Sequence, residues 1–271
     1  MSTTASSTPL PTLYHCVSAR SFRPLWLLEE LGLSCALKML PFPPRVLARG
    51  YLQDNPLGTV PLWVDGPLRM TESAAICEYL AARHSPGVLN VAVDDPAFGS
   101  YLNWLHMSDA TLTFPQTLVL RYAHFEPVER QQPQVVEDYS RWFLARLRAV
   151  DAALQAPDQE QRPESSWLCA GRFTAADVAV GYALLVASHL GLSAQFSPAV
   201  AAYWSRLQQR PAFQRALAIQ HQAALDQDVP TTPAPDMRPR VLPGSACLID
   251  PALSQPTGSH RGSWTTFPVF L

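Results

Sequence analysis

Lysine is nearly absent from this 271-residue sequence, and arginine carries almost all of its positive charge. The formal net charge is only −2, so no basic surplus points to nucleic acid. No apolar run reaches the roughly 20 residues that a membrane-crossing helix requires, and no membrane role is expected. Cys16, Cys35, Cys77, Cys169 and Cys247 form no CxxC pair and no metal-ligand spacing. His15, His84, His124 and His189 add none, so no metal is expected. The opening stretch MSTTASSTPLPT lacks the basic and apolar regions of a signal peptide. With an odd cysteine count, that gives the expectation of a reduced, cytoplasmic protein. What is present is globular in kind: 48% hydrophobic and 15% charged residues, enough chain for one large or two ordinary domains.

Two halves are legible. Residues 1–11 read as a flexible leader. Leu13–Val17 reads as a strand, Phe22–Leu31 as a helix closed by Gly32, and Ser34–Leu40 as a second strand. Pro41–Gly50 is loop-like. Leu62–Val64 and Leu68–Met70 flank Asp65-Gly66 as a hairpin, and Glu72–Arg83 is an amphipathic helix. This βαβ-ββα unit spans 12–84. From about residue 95 strand signals fade. Helices are expected over Pro96–Tyr122 (broken near Pro115), Pro133–Ala156, Ala175–Leu190, Ser197–Arg210 and Pro211–Asp226, a helical domain over 95–226. Residues 227–271, rich in Pro, Ser and Thr, read as a flexible tail.

Three stretches carry chemistry. In Val60-Pro61-Leu62-Trp63-Val64 a proline stands at a strand start, where it removes a ladder donor. Thr71-Glu72-Ser73 precedes a helix, so backbone N–H groups there face outward with partial positive charge. Ser73 can donate to a carboxylate and Glu72 can accept from an ammonium; a plain helix cap is the competing reading. Thr174-Ala175-Ala176-Asp177 is a capping-box pattern, and Asp177 is read as structural. Pro24 belongs in the first turn of its helix. That sets the start near Phe22, makes Ser21 the N-cap, and leaves Ser18 in the preceding loop at the mouth of a cleft.

The order of these elements, with LEELGL, NPLGTVP, TESAAICEYL, FTAADVAV, NWLHMSDATLTFP and RPAFQRA, resembles the soluble glutathione transferases over about residues 12–223. The implied fold is α/β plus all-α: an N-terminal thioredoxin-like domain followed by an all-helical domain. The implied function is conjugation of the glutathione thiolate to a small hydrophobic electrophile, in a homodimer with a detoxification role. The resemblance makes Val60–Pro61 a cis bond that turns the Val60 backbone toward the cysteinyl part of glutathione. It assigns the γ-glutamyl end to Glu72 and Ser73. At the glycyl end, Thr59 stands where many relatives carry Lys, and Gln53, Arg45 and Arg49 are the substitutes.

For the thiol, Ser18 falls where serine-type, zeta-like members carry their hydroxyl. Other bacterial relatives read Ser-Arg-Ser at Ala19-Arg20-Ser21, so Ser21, or no side chain at all, stays open as the activator. Tyr14 is expected in the core. His106, Met107, Thr111, Phe114 and Tyr122 are candidate walls for the second substrate. Two rivals accompany this reading: a non-catalytic glutathione or ligand carrier, and a glutathione-dependent thiol exchanger acting through Cys16.

Overall fold

The computed structural model describes residues 10–156 and 167–237. Strands β1 (Thr12–His15), β2 (Ala36–Met39), β3 (Leu62–Asp65) and β4 (Leu68–Met70) form one sheet in the order β2-β1-β3-β4. β1 pairs parallel with β2 and antiparallel with β3. Helix α1 (Phe22–Leu31) makes the crossover from β1 to β2, ending on Gly32 in the left-handed region (φ +64°). The short helix α2 (Pro44–Leu47) and a 3₁₀ turn (Arg49–Gln53) occupy the stretch expected as loop. Helix α3 (Ser73–His84) follows β4. This is a thioredoxin-like domain.

A helical domain follows: α4 (Phe98–Met107), α5 (Phe114–Leu120), α6 (Pro133–Leu154), α7 (Ala175–His189), α8 (Pro198–Gln208) and α9 (Pro211–Asp226). The break expected near Pro115 is not a break. Helical dihedrals persist through Ser108–Thr113, which is wound as π-helix, and α5 continues from it. A proline ring clashes with the carbonyl four residues earlier, here on Thr111, inside the widened π segment.

The core runs through both domains. Phe213 of α9 meets the rings of Phe22 (5.5 Å) and Trp26 (4.9 Å) of α1 and Trp204 (5.6 Å) of α8. Helix α7 packs against α1, α3 and α4 and is buried from Ala175 to Ala187, which explains its almost wholly apolar sequence. At its start the capping box forms: Thr174 and Asp177 bond each other's backbone. Asp177 also accepts from the Leu168 N–H (3.2 Å) and the Tyr203 hydroxyl (2.8 Å).

The first part of the expected tail is packed rather than loose. The Gln227 side chain accepts from the Met39 N–H and donates to the Leu37 carbonyl, both at 2.9 Å, along the open edge of β2. Ala234 donates its N–H to the Val17 carbonyl (2.7 Å), and Asp236 lies 2.9 Å from His189 Nδ1. Residues 1–9 of the expected leader and 238–271 of the tail, with Cys247, lie outside the described residues.

Candidate functional site

The loop before β3 is held from inside. Asn55 is buried; its amide donates to the Thr59 carbonyl (2.8 Å) while its oxygen accepts from the Leu57 N–H (3.1 Å). The Tyr51 hydroxyl donates to the same Thr59 carbonyl (2.7 Å). Gly58 has φ +61°, and a Cβ there would stand 2.6 Å from the Arg45 Cβ, so only glycine fits. The loop delivers Val60 and Pro61, joined by the expected cis bond and buried, to the head of β3. Thr59, Gln53, Arg45 and Arg49 are exposed.

Ser73 is the first residue of α3, with exposed Glu72 as an extended N-cap. The Ser73 hydroxyl accepts from Arg23 Nη1 (2.9 Å). Arg23 is fully buried, and its guanidinium spends all its donors. Nε donates to the Ala179 carbonyl (3.1 Å). Nη1 also donates to Asp109 (3.0 Å), and Nη2 to the Ser108 carbonyl (3.1 Å) and the Thr113 hydroxyl (2.7 Å). The cation also lies 4.6 Å from the centre of the Tyr182 ring. Burial works to raise the Asp109 carboxyl, but Arg23 and Arg20 outweigh it and hold it below the usual carboxylate range.

Between β1 and α1 runs the loop that carries both candidate activators. Helix α1 begins at Phe22 as Pro24 requires, and Ser21 stands at the N-cap position. Its hydroxyl makes no cap bond. With φ −65° and ψ −9° the residue is helical rather than extended, and the hydroxyl accepts instead from the Cys16 N–H (3.3 Å). Ser18 has φ +53°, the left-handed region, and is 2% exposed rather than open at a cleft mouth. Gln220 of α9 holds it twice. Its oxygen accepts from the Ser18 N–H (2.9 Å) and its amide donates to the Ser18 hydroxyl (3.2 Å). The Tyr182 hydroxyl donates to the Ser18 carbonyl (3.4 Å).

Ser18, Ser21 and Ser73 therefore share one property. Each hydroxyl accepts a protein N–H, and none has a protein acceptor for its own hydrogen among the described residues. A hydroxyl that accepts one bond can still donate one.

Of the second-substrate candidates, His106 and Phe114 are exposed, and Met107, Thr111 and Tyr122 half-buried. The residues of this stretch that bond the loop before α1 and its first turn are others. Asp109 pairs with Arg20 (3.1 Å) and Arg23, Thr113 with Arg23, and Thr117 with Arg20 (3.1 Å). Tyr14 is buried, as expected, with Lys38 4.6 Å from its ring centre. A concavity of about 260 Å³ lined by Tyr14, Lys38, Tyr51 and Asp54 includes none of the expected site residues. Cys16 is fully buried, and burial pushes its thiol far above the ordinary range. No metal-binding cluster occurs among the described residues, and no described helix is long and apolar enough to cross a membrane.

Sequence reasoning missed Arg23, Asp109 and Gln220. Arg23 left a signal, a charge inside the otherwise apolar helix FRPLWLL, at a position whose neighbours are all buried. Gln220 left none.

Residues 17–83 match the family described as glutathione S-transferase, N-terminal domain. The chain is 33% identical over 100 residues to glutathione S-transferase 3 of Schizosaccharomyces pombe, a match spanning 37% of this chain and 41% of that protein. It is 28% identical over 196 residues to glutathione S-transferase GstA of Escherichia coli O157:H7, 71% of this chain and 90% of that one. Among solved structures, Ure2p in complex with glutathione superposes with a TM-score of 0.68 at 22% identity, over 79% of this chain and 100% of Ure2p's. The fold is thus the glutathione transferase fold, and the sequence matches support that family.

Proposed function

We propose that this chain is a glutathione transferase, binding glutathione on its thioredoxin-like domain and using the thiolate to attack a small hydrophobic electrophile. The observation that supports the reading is the set of three buried serine hydroxyls with unspent hydrogens, two in the loop that leads into α1 and one at the start of α3. A ligand presenting anionic acceptors is what such donors lack. The Ser73 hydroxyl, with its acceptor side occupied by Arg23, donates to the γ-glutamyl carboxylate, and Glu72 receives the ammonium. The Val60 backbone pairs with the cysteinyl segment. Thr59 and Gln53 reach the glycyl end from the surface. Ser18, and failing it Ser21, donates to the sulfur and favours the anion; the thiol proton leaves to solvent. The thiolate then forms the S–C bond as the leaving group departs with its electron pair. His106, Met107, Thr111 and Phe114 face the second substrate in this reading. A homodimer and a cytoplasmic, detoxifying role complete it.

Calorimetry with glutathione, followed by conjugation of an activated aryl halide, tests the proposal. Absence of binding at millimolar glutathione would falsify it. Binding without conjugation selects the carrier, which one observation favours: Ser18 and Ser21 are both buried, and Ala234 lies bonded over their loop. The thiol exchanger would need a thiolate at Cys16, which its burial opposes.

A further inference from the structure

We propose that Gln220, on the last helix of the helical domain, is a positioning residue that aims the Ser18 O–H at the ligand sulfur. The inference rests on the reading of Ser18 as the thiol's hydrogen-bond donor.

The orientation of the Gln220 side chain follows from chemistry. The Ser18 N–H can only donate, so the atom 2.9 Å from it must be the amide oxygen. The same oxygen lies 3.0 Å from His15 Nε2. An amide oxygen cannot donate, so His15 must carry a hydrogen on Nε2. Burial lowers the His15 pKa to about 4, and the ring is therefore the neutral Nε2–H tautomer. With the oxygen fixed by two donors, the Gln220 NH₂ has one orientation, toward the Ser18 hydroxyl 3.2 Å away. The hydroxyl must accept there, and its own hydrogen is kept for a third party.

A merely structural clamp would need only the first of these contacts. A Ser in the left-handed region needs its N–H and C=O fixed, and Gln220 and Tyr182 do that. The second contact adds nothing to the backbone. It sets which way the hydroxyl's hydrogen points, and a hydroxyl that receives one bond donates the next more strongly.

The variant Gln220→Glu reverses that contact, and the charge it buries against His15 is offset when that ring takes up a proton. One carboxylate oxygen retains the Ser18 N–H and the His15 Nε2–H. The other can only accept, so it takes the Ser18 hydrogen away from the sulfur. The other charged groups beside the loop, Arg20 and Arg23 with Asp109, are unchanged.

The experiment is a pH titration of thiolate absorbance of bound glutathione on wild type, Gln220→Glu, Ser18→Ala and the double variant. The thiol pKa is expected to rise by about one unit or more in each single variant. Turnover near neutral pH should fall about tenfold, with the glutathione dissociation constant within about threefold of wild type. The double variant should resemble either single one, because both remove the same bond. An unmoved thiol pKa in Gln220→Glu, or additive shifts in the double variant, overturns the inference while leaving glutathione binding intact. Failure of wild type to bind glutathione in calorimetry removes the reading beneath it as well. Should Gln220→Glu not fold, ¹⁵N spectra of the wild-type His15 ring decide. The Nε2–H tautomer is expected, and a neutral Nδ1–H ring would mean that the Gln220 oxygen does not face it, which overturns the assignment.

Discussion

Two buried titratable groups should pull this protein's acid stability in opposite directions. His15 is wholly buried and neutral, its pKa lowered from 6.5 to about 4 chiefly by burial. Between those values the unfolded chain binds a proton that the native chain refuses, so stability rises with pH across that window. Multiplying the shift by 1.36 kcal/mol per unit gives about 3 kcal/mol. Asp177 is also wholly buried, and burial raises its pKa from 3.8 to about 6 despite the bonds from Thr174, Leu168 and Tyr203. Between 3.8 and 6 the native chain holds a proton that the unfolded one has lost. Stability therefore falls as pH rises through that window, by about 3 kcal/mol. The two contributions nearly cancel from pH 4 to 6.

Removing either group should expose the other. His15→Gln keeps a donor for Gln220 but does not titrate, so its stability relative to wild type should fall by about 3 kcal/mol from pH 4 to 6.5. Asp177→Asn should change the opposite way, on top of a uniform loss of about 1–3 kcal/mol from setting an amide N–H₂ against buried donors. Asp109, held down by Arg23 and Arg20, is common to all three proteins and drops out of the differences. Urea unfolding at half-unit pH steps supplies the measurement. Parallel curves for wild type and His15→Gln would refute a neutral, buried His15; slopes of the same sign in both variants would refute the opposition.

Other substitutions test the site and its frame. Ser73→Ala should weaken glutathione about tenfold or more, since a bond to a charged carboxylate is worth roughly 1.5–3 kcal/mol. Its stability should also fall by about 1–3 kcal/mol, because one buried Arg23 Nη1 hydrogen loses its acceptor while the other keeps Asp109; an unchanged dissociation constant in calorimetry would leave Ser73 a structural residue only. Arg23→Met should destabilise by about 3 kcal/mol or more, the usual cost of removing one partner from a buried charged network. Denaturant midpoints check that, and a loss under 1 kcal/mol would contradict the five-bond arrangement. Gly181→Ala should destabilise although alanine favours helix by about 1 kcal/mol. The new Cβ would stand 2.8 Å from the Trp26 ring, and overpacking typically costs about 1–3 kcal/mol. A raised melting temperature would show that Trp26 has room to move.

Local chemistry made much of this legible. Proline and glycine marked the head of β3 and the end of α1, Pro24 set the start of α1, and the Thr174–Asp177 pattern produced the capping box it announces. Where a residue's role depends on the backbone's path or on a partner distant in sequence, local chemistry does not reveal it. The N-cap position of Ser21 was visible, but not the use of its hydroxyl. That use depends on a helical rather than extended backbone at the cap and on the nearby Cys16 N–H. Composition marked 227–237 as tail, because nothing in a Pro-Thr-rich stretch reveals that Ala234 bonds Val17, 217 residues earlier by subtraction of their numbers. Helical periodicity found the helix with His106 and Phe114 but not the π segment. The stripe that bonds α1 is Asp109, Thr113 and Thr117, four residues apart, and its partners Arg20 and Arg23 are about 90 residues away in sequence.

The same dependence bears on the proposed site. Residues 17–83, the stretch that matches the family's N-terminal domain, contain Ser18, Ser21, Val60, Pro61, Glu72 and Ser73. What fixes two of the three hydroxyls lies outside that stretch, directly for Ser18 and at one remove for Ser73. Ser73 takes its orientation from Arg23, and the rest of that guanidinium is held by Ser108, Asp109, Thr113 and Ala179 of the helical domain. Ser18 takes its orientation from Gln220 and Tyr182, also of the helical domain. Without those partners Arg23 would be a buried cation lacking its carboxylate, and Ser18 a left-handed residue with no bond to hold it there; both are costly states. The donors that a ligand would read on the first domain are thus set at its joint with the second. A substitution on α9 or in the π segment should therefore reach the ligand without touching it.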